Sequence, residues 1–120
     1  MSYINIKIKG IPYSKTKVRG NLEGPKDWEK AIIAQTKDLP RVAGPCTMRI
    51  TFLMPPDKYP ADFPYGPDLD NQLKMFQDAL NKTVFRDAPG GDSCIISLEV
   101  SKVRVASYEE SGVHLEILPH

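Results

Sequence analysis

Pro67-Asp68-Leu69-Asp70-Asn71-Gln72-Leu73-Lys74 closes a proline-rich run and opens a helical pattern. Leu69, Leu73, Phe76, Leu80 and Val84 recur at spacings of three and four. That spacing predicts a helix with one buried apolar stripe. Asp70, Lys74 and Asp78 lie four apart, so on a helix each sits about 40° around from the last, on one face. Asp68 falls just before that face, and the polar loop Arg86-Asp87-Ala88-Pro89-Gly90-Gly91-Asp92 brings further carboxylates after it.

Two readings of these acids compete. In the first, an aspartate caps the helix N-terminus and Asp70, Lys74 and Asp78 form an i,i+4 ion-pair ladder. In the second, the carboxylates gather. Two of them about 5 Å apart repel by roughly 3 kcal/mol at an effective dielectric near 20. A divalent cation offsets such repulsion, and oxygen-only ligands suit Mg2+ or Mn2+. Capping needs one aspartate and leaves the second acidic loop unexplained, so the metal reading is preferred. It expects an Asp92 oxygen within about 5 Å of one from Asp68 or Asp70, close enough to share an ion.

Around this centre the chain alternates strands and helices. Tyr3 to Lys9 alternates apolar and polar residues, as a half-buried strand does. Ile11 to Gly24 reads as a loop, with Lys15, Lys17, Arg19 and Tyr13 exposed. Pro25 suits a helix start, and Trp28, Ile32, Ile33 and Leu39 give that helix, over about 25–37, an apolar face. Trp28 is read as core rather than as a platform for a base. Cys46, Met48, Ile50 and Phe52 alternate in a second strand. Prolines 55, 56, 60, 64 and 67 exclude regular structure before the acidic helix. Cys94 to Val105 reads as a long strand, Ala106 to Gly112 as a turn and Val113 to Leu118 as a last strand. The expected fold is α/β (α+β): one domain over 1–120, with a mixed sheet, two helices packed on it and the order β-α-β-α-β-β.

Composition narrows the function. The chain has 120 residues and a formal net charge of +1, unevenly spread. Residues 1–30 hold seven Lys/Arg against three acids, and the remainder nine against twelve. A basic third beside an acidic centre suits a polyanion held by one and cut through metal by the other. Two cysteines and two histidines exclude a credible zinc site, and buried free thiols fit a reducing cytoplasm. No apolar run approaches the ~18 residues needed to span a bilayer.

Asp68-Leu69-Asp70-Asn71, Lys74, Asp78-Ala79-Leu80 and Asp92 before an apolar strand resemble the central motif of the RusA family of Holliday junction resolvases. The resemblance is specific over residues 67–100. It implies a small, homodimeric, magnesium-dependent endodeoxyribonuclease acting on branched DNA in recombination and repair. It also implies that Asp68, Asp70 and Asp92 bind the metal, with Lys74 the essential lysine beside it. Where that family often has adjacent aspartates this chain has Asp87 and Asp92, so Asp87 competes for the third place. Lys15, Lys17 and Arg19 are the candidate phosphate contacts. Two alternatives stay open: a DNA-binding protein whose acidic helix is structural, and a phosphotransferase using the Asp-x-Asp motif.

Overall fold

Strand β2 (Cys46–Met54) carries Cys46, Met48, Ile50, Phe52 and Met54 on one face, and all five are buried. The computed structural model describes residues 4–13, 23–56 and 69–120, and there two further strands share this period of two. In β4 (Gly112–Pro119) it buries Val113, Leu115 and Ile117, and in β1 (Ile4–Lys9) Ile4 and Ile8. Strand β3 (Ile95–Arg104) completes a four-stranded sheet of order β1-β4-β2-β3. Only β2 and β3 are parallel; β4 pairs antiparallel with both β1 and β2. The sheet is mixed, as expected.

Helices α1 (Glu23–Thr36) and α2 (Leu69–Leu80) supply the rest of the core. Trp28 of α1 stacks on Phe76 of α2 with centroids 6.5 Å apart, and Phe76 meets Phe52 of β2 edge-on at 6.0 Å. Trp28 is therefore core, as its helical spacing suggests. Helix α1 starts at Glu23, ahead of Pro25, which still lies in the first turn, where a missing N–H breaks no helical bond. The buried stripe of α2 is also rotated from expectation. Gln72, Met75, Phe76, Ala79 and Leu80 are buried, whereas Leu69 and Leu73 are only half-buried against the core. Val84 lies in the turn after α2, buried, and its carbonyl accepts from Val42 N–H at 2.8 Å. Among the described residues no helix is long and apolar enough to cross a membrane.

Cys46 is fully buried and Cys94 half-buried, so only the first meets the expectation of a buried thiol in full. Burial, and then the neighbouring Cys94, push the Cys46 thiol up to about 12, so it stays protonated and inert at neutral pH.

Among the buried polar residues Thr36, Gln72, Thr83 and Ser111, one is poorly satisfied. Gln72 is fully buried; its Nε2 donates to Met54 Sδ at 3.2 Å and its Oε1 has no partner. An unmade buried hydrogen bond costs about 1–3 kcal/mol. Gln72→Met keeps the shape and removes the orphan acceptor, so it should stabilise the protein by about 1 kcal/mol in urea denaturation. A loss of stability would show that the amide has a partner worth keeping.

Candidate functional site

Asp70 sits in the first turn of α2, exposed, with Oδ1 accepting from Asn71 N–H at 3.0 Å. Its other oxygen makes no hydrogen bond among the described residues. Lys74 is exposed one turn on, and Asp78, half-buried, continues the same face. Asp68, Lys15, Lys17 and Arg19 lie outside the described residues.

Asp92 belongs to a short 3-10 turn, Gly91–Cys94, that leads into β3. Two glycines make the approach. Gly90 and Gly91 have φ of 77° and 60°, the left-handed region that favours glycine. The turn swings Asp92 back against the end of α2. There Asn81 Nδ2 donates to Asp92 Oδ2 at 3.3 Å. Asn81 itself continues the helix, its backbone N–H reaching Gln77 O at 2.9 Å. Its Oδ1 is buried without a partner, and a Cβ on Gly91 would stand 2.9 Å from that oxygen. Asp87 is exposed in the turn between.

The two described acids of the expected metal site are not neighbours within the chain. Parallel strands need a crossover, and α2 makes it by running back from the end of β2 to the start of β3. Gln72, near the helix start, touches Met54 at the end of β2; Asp92 lies just before Ile95, which pairs with Cys46 at the start of β2. Eleven steps from Asp70 to Asn81 cover roughly 16 Å at 1.5 Å per residue. Side-chain reach closes only part of that, so Asp92 cannot come within about 5 Å of Asp70. Of the two expected neighbours of Asp92, Asp70 stands at the opposite end of α2, and Asp68 lies outside the described residues. Among the described residues no three His, Cys, Asp or Glu side chains are grouped to hold a metal.

Other nucleophile arrangements find little support. His114 Nε2 pairs with Asn5 Oδ1 at 2.7 Å, and His120 Nε2 with Thr47 Oγ1 at 2.7 Å, so both rings are engaged by sheet side chains. Asn81 escaped the sequence reading because an asparagine just past a helical pattern reads as an ordinary C-terminal cap. Nothing in its spacing points to a carboxylate eleven residues later.

The model of the endodeoxyribonuclease RusA family matches residues 16–117. None of the curated proteins matches the chain. That span runs from ahead of α1 nearly to the end of β4 and holds the Asp-Leu-Asp-Asn motif, Lys74 and the Asp92 turn. The chain, a nuclease that hydrolyses DNA phosphodiester bonds, belongs to the RusA endodeoxyribonuclease family.

Proposed function

We propose that this nuclease resolves four-way DNA junctions with Mg2+, Mn2+ being able to substitute, as a homodimer whose metal sites each draw on both chains. The observation that carries the reading is the placement of Asp70 and Asp92. Each has one oxygen engaged by a nearby N–H and one with no hydrogen bond among the described residues, which fits an oxygen-ligated divalent cation. Yet α2 separates them within one chain.

A second copy resolves the separation. Strand β3 is an edge, ten residues long, and it carries Ile96, Leu98 and Val103 with 62%, 41% and 41% of their surface exposed. An open edge presents unpaired N–H and C=O groups to another strand, and exposed apolar side chains along it favour burial there. Under a two-fold axis the partner's β3 runs antiparallel, so the start of one strand meets the end of the other. Asp92 of one chain then approaches the end of the sheet where the partner's α2 begins, with the partner's Asp70. Asp68, two residues before Asp70, is proposed as the third ligand.

A bound Mg2+ would lower the pKa of an attacking water and polarise the scissile phosphate. The chain's own groups do the rest. Asp68, Asp70 and Asp92 hold the charge that attracts the ion. Lys74, one turn from Asp70 and exposed, offers an ammonium to the charge developing on the phosphate. Lys15, Lys17 and Arg19 are proposed to hold the backbone of the junction. Two sites related by symmetry match a substrate that must be cut on two strands.

A synthetic four-way junction should be cleaved with Mg2+ and left intact with chelator. Asp70→Asn should bind the junction but cut it slower by orders of magnitude, and lose the thermal stabilisation that Mg2+ gives the wild type. Alanine at Lys15, Lys17 and Arg19 together should weaken binding and flatten its salt dependence. Equal cleavage in chelator would contradict the metal reading, and an unchanged salt slope would remove those residues from the interface.

The dimer has its own test. Leu98→Glu, on the exposed edge, should turn a dimeric protein monomeric in sedimentation equilibrium and abolish Mg2+ binding at the same step. A monomeric wild type, or a monomeric variant that still binds Mg2+ normally, would contradict a site shared between chains.

A further inference from the structure

We propose that Asn81 is a positioning residue for Asp92, an inference that rests on the reading of Asp92 as a metal ligand. The chemistry fixes which way its amide faces. An ionised carboxylate only accepts, so the group 3.3 Å from Asp92 Oδ2 must be the amide nitrogen. A flip would set two acceptors against each other. Oδ1 is thereby turned to the closed side, against Gly91, where it finds no partner.

The side chain therefore makes its one hydrogen bond to Asp92, and nothing competes for it among the described residues. As a device for stability alone this is a poor arrangement, since half of a buried amide stays unsatisfied. As a device for orientation it is well suited. Asn81 is anchored by the last turn of α2, through its N–H on Gln77 O, and so is a rigid post. Asp92 stands on a turn entered through two glycines in the left-handed region, whose backbone bonds fix the main chain but leave the carboxylate's own rotation open. One N–H on Oδ2 selects the carboxylate's rotation and leaves Oδ1 directed elsewhere. Ligand carboxylates are held in this way by outer hydrogen bonds, and loss of such a bond weakens metal binding by roughly 10–100-fold. Asn81 touches neither metal nor DNA in this account; it acts through Asp92.

The test is Mg2+ binding to the full-length protein, by titration calorimetry without DNA. Asn81→Leu keeps the volume and removes the donor, so the Mg2+ concentration for half-saturation should rise at least about tenfold. In an Asp92→Asn background the same change should add nothing, because a positioning residue has nothing left to position. Asn81→Ser, smaller and polar, serves as the second variant should the leucine perturb folding, checked by far-ultraviolet circular dichroism. Wild-type Mg2+ binding by the Asn81 variants, with Asp92→Asn impaired, would overturn the inference and leave the metal reading standing. A further loss in the Asp92→Asn background would also overturn it, since Asn81 would then act by another route. Wild-type binding by Asp92→Asn itself would sink the metal assignment of Asp92 and the inference together.

Discussion

The crossover between β2 and β3 is the constraint on which the rest depends. Two adjacent parallel strands cannot be joined by a tight turn; the chain must travel back along the full length of the sheet. Helix α2 makes that journey, and its inner face, Met75, Phe76, Ala79 and Leu80, is spent on the core. Phe76, wedged between Trp28 and Phe52, ties both helices to the sheet at one point. What the helix leaves outside is a polar face whose first residue of interest is Asp70, with Asp92 delivered to its other end.

This separation gives a physical reason for the protein to act as a pair. A chain that could close its own metal site would need no partner; under the proposed metal reading, acids at opposite ends of a rigid helix call for a neighbour running the other way. The open edge of β3 fits that need, because antiparallel pairing across a two-fold axis exchanges the two ends. The same geometry couples assembly to activity. In the proposed dimer, single chains would hold half-sites that neither bind the ion well nor cut DNA.

Much of this was legible in the residues, and the rest was hidden for definite reasons. Alternation placed β1, β2 and β4, and Asp68 and Asp70 stood out because two aspartates flanking a leucine exceed what a cap requires. The rotation of the buried stripe onto Gln72 and Met75 was not visible, because a glutamine in a helix reads as solvent-facing until a sulfur such as that of Met54 is seen beside it. The parallel pairing of β2 with β3 could not be read from either strand, since both carry similar apolar runs. That pairing sets Asp70 and Asp92 at opposite ends of α2, a separation that spacing along the chain does not reveal. Asn81 was invisible for a related reason: its meaning lies in a turn that only two left-handed glycines close upon it.

The central claim is that one metal site takes Asp70 from one chain and Asp92 from the other. Mixing two inactive variants measures it directly. Asp70→Asn and Asp92→Asn chains, co-expressed under separate affinity tags so that the mixed dimer can be isolated, would leave one intact site per dimer if the ligands come from different chains. The account predicts that this heterodimer regains Mg2+ binding and nicks one strand of a four-way junction, while either homodimer does neither. A heterodimer as inactive as its parents would contradict the shared site and return both acids to a single chain.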